Sequence, residues 1–104
     1  MGRQKRVDKN QADIVAELTG EYGYSVLHLH TVGSGAPDIC VGAFGLNFLF
    51  EIKNPDNVPS KRRLTEDEEA FFKSWTGQVH KIETATEIVT IINLTVHEIK
   101  GEKE

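Results

Sequence analysis

Residues 46–53, Leu-Asn-Phe-Leu-Phe-Glu-Ile-Lys, constrain the fold of this chain more than any other stretch. Alternate residues of a strand point to opposite faces. Leu46, Phe48, Phe50 and Ile52 therefore share one face, and Asn47, Leu49, Glu51 and Lys53 the other. The first set is wholly apolar and requires a core. The second ends in a carboxylate and an ammonium, roughly 7 Å apart along the strand. Thirteen residues before Glu51, Pro37-Asp38 opens another apolar run, Asp38-Ile39-Cys40-Val41-Gly42. Gly45 marks a turn between the two, so Asp38 is expected one strand away from Glu51 and Lys53. Hard carboxylate oxygens of this kind hold Mg²⁺ with several of its waters retained. An ammonium beside such an ion stabilises charge on a phosphate or helps to make hydroxide. The pattern points to metal-assisted cleavage of a phosphodiester.

The remaining segments supply partners for that strand. Val7, Gln11, Ile14, Val15, Leu18 and Tyr22 recur at helical spacing, so 7–22 reads as a helix ended by Gly20 and Gly23. Residues 24–30 read as a strand, and 31–37, with Gly33 and Gly35, as a loop. Residues 54–63, with Pro55 and Pro59, form a second loop. A second helix should start near Leu64-Thr65, with Thr65 and Glu68 as a capping box. Glu68, Phe71, Phe72 and Trp75 share its face, Trp75 is expected in the core, and Gly77 stops it. Gln78 to Glu83 reads as a strand. Thr84-Ala85-Thr86-Glu87 is another capping box, opening a third helix over Ile88, Val89, Ile91 and Ile92. Residues 94–99 read as a short strand or a simple extension of the chain. The order α-β-β-β-α-β-α gives an α/β fold, a mixed sheet flanked by helices. One domain spans 1–104, with its core over about 7–93 and a flexible tail over about 100–104.

Composition narrows the class of partner. The net charge of −4 argues against broad, non-specific nucleic-acid binding. It does not exclude a nuclease, because site carboxylates lower the sum and a bound cation reverses the local sign. Basic residues cluster at Arg3, Lys5, Arg6 and Lys9 and again at Lys61-Arg62-Arg63. No apolar run is long enough to span a bilayer. The basic start leads into no apolar segment of a secretory signal. The single cysteine, Cys40, reads as a reduced core residue. An intracellular, cytoplasmic protein is expected. His28 and His30 share a strand face but lack the further ligands that zinc needs, and read as sheet-surface residues.

Five stretches together resemble a known family: Asp8-Lys9-Asn10-Gln11, Gly35-Ala36-Pro37-Asp38, Glu51-Ile52-Lys53, Arg62-Arg63-Leu64-Thr65 and Trp75-Thr76-Gly77-Gln78-Val79. The chain resembles the restriction-endonuclease-like superfamily, and more narrowly the virus-type replication-repair nuclease (VRR-NUC) domain, over about residues 7–92. The resemblance implies a restriction-endonuclease-like core. It implies a Mg²⁺ site, for which Mn²⁺ may substitute, made by the carboxylates of Asp38 and Glu51 and the backbone carbonyl of Ile52. Lys53 would orient or activate the attacking water. The family also places an acidic or amide residue of the first helix near the metal; here that is Asp8 or Gln11. It usually carries a glutamine near the start of the second helix, where this chain has Glu68. Stand-alone members resemble homodimeric junction-resolving enzymes, which implies a bacterial or phage-infected host.

Each residue also has a plainer reading. Asp38 alone is a turn residue opening a strand. Glu51 and Lys53 alone are a solvated ion pair. Asp8 alone is a first-turn charge favoured by the helix dipole, and Glu68 is better read as the helix cap. Lys61, Arg62 and Arg63 are a solvated loop unless DNA lies beside them, in which case they and Arg6 are phosphate contacts. Ser34, next to Gly35, would let a DNA backbone approach closely. The combined expectation is a metal-dependent, structure-specific DNA endonuclease, a homodimer resolving Holliday junctions, with Asp38, Glu51, Lys53 and Gln11 as its catalytic residues. The alternatives are a flap, nick or single-strand nuclease of phage replication or packaging, and a non-catalytic DNA-binding module.

Overall fold

The apolar set on 46–53 finds its core on one face of a four-stranded sheet. The computed structural model describes residues 9–102. In chain order these form α1 (Lys9–Gly20), β1 (Ser25–His28), β2 (Ile39–Ala43), β3 (Leu46–Ile52), a 3₁₀ turn (Pro59–Lys61), α2 (Glu66–Ser74), β4 (Val79–Ile82) and α3 (Ala85–Glu102). The sheet order follows the chain, β1-β2-β3-β4. The first three strands form an antiparallel meander, and β4 lies parallel to β3. A parallel neighbour needs a long crossover, and the segment carrying α2 supplies it. The described residues thus form an α/β fold, with a mixed sheet and three α-helices.

Ile39, Val41, Phe48, Phe50, Ile52 and Ile82 line the buried sheet face. Ile14 and Leu18 of α1 and Ile88 and Ile92 of α3 cover it. Burying such side chains contributes about 1.5–3 kcal/mol each, so this layer carries most of the stability.

Several boundaries differ from the sequence reading. Helix α1 stops at Gly20, and Tyr22 is exposed rather than part of its buried stripe. Gly23 turns the chain at φ +69°, and the Tyr24 amide donates to the Leu18 carbonyl at 3.0 Å. Strand β1 ends at His28 rather than at residue 30, because the chain turns from residue 30 onward into the glycine-bearing loop. Trp75 is 46% exposed, not core: it is the C-cap residue of α2 and stacks on Phe71 at 5.2 Å. Residues 94–99 are neither strand nor extension. Helix α3 runs unbroken through them to Glu102, so residues 100–102 are helical. Val96 and Ile99 extend the stripe begun by Ile88 and Ile92, and that periodicity outweighs the strand preference of Thr95, Val96 and Ile99. No helix among the described residues is long and apolar enough to cross a membrane.

Candidate active site

The second face of the sheet is not simply solvated. Glu51 is 1% exposed and Lys53 8%, which removes the reading of a surface ion pair. The register pairing Ile39 with Phe50 sets Asp38, one residue before β2, beside Glu51. Asp38 is also buried. Its backbone amide donates to the Phe50 carbonyl at 3.0 Å, and its Oδ2 accepts the Ile52 amide at 2.8 Å. The side chain therefore pins the end of β3 with a hydrogen bond of the stronger, charge-assisted kind.

Lys53 follows β3 directly. Its amide donates to the Ile82 carbonyl of β4 at 2.8 Å, which holds its backbone beside the sheet. Its Nζ lies 3.4 Å from Glu51 Oε2 and 2.8 Å from Glu68 Oε1. Glu68 is buried in the first turn of α2. It completes the capping box read from sequence: Glu68 N–H donates to Thr65 Oγ1 at 3.2 Å, and Thr65 N–H donates to Glu68 Oε1 at 2.9 Å. One oxygen of Glu68 thus serves both the helix start and the Lys53 ammonium. A buried charge without a partner costs several kcal/mol, and here the lysine sits between two carboxylates.

Helix α1 closes the other side. Asn10 Nδ2 donates to the Lys53 carbonyl at 3.2 Å. Gln11, expected as a site residue, is 2% exposed, but the hydrogen bond it makes is to His28, with Nε2 and Nδ1 3.5 Å apart. His28, exposed on edge strand β1 as expected, meets the half-buried His30 edge to face at 6.1 Å. Asp8 and Arg6 lie outside the described residues.

The basic loop divides. Lys61 and Arg63 are exposed. Arg62 is half-buried and turned inward: Nη1 lies 3.7 Å from Glu83 Oε2 and donates to the Pro55 carbonyl at 3.5 Å. Ser34 is exposed at φ +54°. With Gly33, Gly35, Ala36, Thr65, Asp67 and Glu68 it lines a cleft of about 250 Å³. The start of α2 thus borders the cleft on one side and Lys53 on the other.

The geometry brings together Asp38, Glu51 and Lys53 from neighbouring strand ends. It adds two residues that sequence reasoning left out of the site. Asn10 gave no signal beyond its place beside Gln11. Glu68 was legible as a cap, but its second use depends on α2 crossing over Lys53. Other titratable groups nearby serve packing. Burial pushes the Cys40 thiol up, away from thiolate chemistry. Burial likewise pulls the His80 imidazole down, favouring its neutral form against Phe50. Among the described residues, no group of three or more His, Cys, Asp or Glu side chains has metal-holding geometry. Comparison of the chain with protein families, curated proteins and solved structures gives no match.

Proposed function

We propose that this protein is a divalent-metal-dependent DNA endonuclease with a restriction-endonuclease-like core of the VRR-NUC type. One observation carries the reading: Asp38, Glu51 and Lys53 are buried together at the ends of two paired strands. A purely structural sheet end would leave such charges in water, where their solvation is cheapest.

The donor set suits the metal. Two carboxylates and the Ile52 carbonyl are hard oxygen donors, and three protein donors suit an ion that keeps waters of its own. Asp38 Oδ2 already accepts one amide, but a carboxylate has roughly four acceptor sites. Asp38, Glu51 and the Ile52 carbonyl would hold Mg²⁺, or Mn²⁺ in its place. When bound, the ion supplies Lewis-acid polarisation of a phosphoryl oxygen and lowers the pKa of a water. Lys53 then orients the attacking water through its ammonium and offsets negative charge growing on the phosphate. Lys61 and Arg63 are exposed on the loop before α2, available to phosphates of the DNA backbone.

The target we propose is selected by DNA shape rather than by base sequence. A homodimer acting on a four-way junction follows naturally, because both have two-fold symmetry and paired nicks need paired sites.

Cleavage of junction, flap, nicked and linear DNA should be compared with Mg²⁺, Mn²⁺ or no divalent ion, beside the mass in solution by light scattering. Metal-dependent cutting of the junction by a dimer is the expected result. Lys53→Gln and Asp38→Asn, which keep size and hydrogen bonding, are expected to lose about 100-fold or more in rate. Variants that cut as fast as the parent would refute the site. Preference for flaps or single strands would move the substrate within the same chemistry. Binding without cutting under every condition would leave a DNA-binding module.

A further inference from the structure

We propose that Glu68 is a positioning residue that aims the Lys53 ammonium at the reacting phosphate, an inference that rests on the nuclease reading above. A cap alone does not explain its placement. A capping box requires only that the two side chains reach back to backbone amides; it does not require burial or a charged partner. Glu68 is 4% exposed, and its Oε1 is shared at 2.9 Å with Thr65 N–H and 2.8 Å with Lys53 Nζ. The contact to Glu51 is longer, 3.4 Å. A lysine carries four rotatable bonds and a compact charge, so it wanders unless held. Glu68 holds it by the shorter of the two contacts, from a different element than the strands bearing Asp38 and Glu51.

The hold is rigid because the first turn of α2 is itself fixed. Gly35 packs so closely on that turn that a Cβ would run into the Asp67 carbonyl. The loop, the helix start and Lys53 are therefore one mechanical unit. Groups that orient a reacting side chain in this way typically govern about 10- to 100-fold of activity or metal affinity.

Three variants separate the roles. Glu68→Gln keeps an acceptor at the position where a capping box takes Glu or Gln alike, but removes the charge that grips Lys53. Thr65→Ala removes the other half of the box and leaves the Glu68–Lys53 pair. Glu68→Asp keeps the charge and shortens its reach. The expected result for Glu68→Gln is a kcat lower by about 10- to 100-fold, with KM for DNA and the dissociation constant for Mn²⁺ unchanged. Glu68→Asp should recover part of that loss. Thr65→Ala should melt earlier with kcat unchanged. The ¹⁵N-labelled Lys53 ammonium should give a slowly exchanging proton signal in the parent and lose it in Glu68→Gln.

Two outcomes of the cleavage and metal-binding measurements would overturn the proposal. A Glu68→Gln protein that cuts like the parent makes Glu68 a cap only. One that binds Mn²⁺ far more weakly makes Glu68 a metal ligand instead. If the parent cuts no DNA with any metal, the nuclease reading fails by itself, and the ammonium signal still decides. Its loss in Glu68→Gln keeps Glu68 as the residue that holds Lys53; its persistence ends the idea.

Discussion

Phe44 occupies a backbone region that a bulky side chain rarely adopts. It and Gly45 form the two-residue turn between β2 and β3, closed by the Ala43–Leu46 pair, with φ of +55° and +77°. Positive φ at both central positions is the mark of hairpin turns that prefer Asn-Gly. The second position has its glycine, but the first carries a phenylalanine that is 64% exposed. Its ring makes an edge contact with Tyr24, at 6.0 Å between centroids. Replacing it relieves strain and gives up little burial. Phe44→Asn is therefore expected to stabilise the protein by about 0.5–1 kcal/mol, which in a domain of this size raises the melting midpoint by roughly 2–8 °C. A thermal melt followed by circular dichroism reads it directly; a lower midpoint would mean that the ring is held by more than Tyr24. The turn lies at the opposite end of β2 and β3 from Asp38 and Lys53, so metal-dependent cleavage should not change with it.

At the scale of elements, the decisive fit is between the loop before β2 and the first turn of α2. Gly33 and Gly35 both have positive φ, +76° and +80°, but only Gly35 faces another backbone. A Cβ at Gly33 meets nothing, so Gly33→Ala carries only the backbone cost of about 1–2 kcal/mol. Gly35→Ala adds a collision with Asp67 and is expected to cost more, about 3 kcal/mol in all. It should also slow cleavage, because α2 moves and takes Glu68 from Lys53. Urea denaturation of the two variants, with cleavage rates alongside, checks both statements; equal losses would show that the loop and α2 are not mechanically linked. This junction explains what the sequence made legible and what it hid. Local patterns read well: the alternation over 46–53, the Asp38 pairing across one turn, and the capping boxes Thr65–Glu68 and Thr84–Glu87 all arise from neighbours a few residues apart. The course of 94–102 read poorly, because Thr95, Val96 and Ile99 have strand preference locally while their helical stripe gains from a core far away in sequence. The burial of Glu51 and Lys53, and the second role of Glu68, depend on where α2 comes to rest. No spacing along the chain encodes that. Trp75 misled for the opposite reason: large aromatic residues are buried on average, but this one lies where α2 ends and the chain turns away.

For the whole molecule, the consequence is electrostatic. Among the described residues, Asp38 and Glu51, the carboxylates proposed to hold the metal, are buried close together at one end of the sheet. Folding confines these like charges in a poorly solvated place, while the unfolded chain separates them in water. A divalent cation that binds the folded site should therefore raise global stability by mass action, without any DNA or turnover. At a concentration of 100 times its dissociation constant the gain is about 2.7 kcal/mol, a rise in melting midpoint on the order of 10 °C for a chain of this length. Mg²⁺ or Ca²⁺ should produce it at millimolar levels, and EDTA should abolish it. Matched sodium chloride should not reproduce it, because screening acts weakly on buried charges. Asp38→Asn is the informative control, since its amide oxygen can still accept the Ile52 N–H while the charge is gone; its midpoint should barely respond to the cation. An equal response in parent and variant would place divalent binding elsewhere on the molecule. No response in the parent would remove the metal from the proposed mechanism.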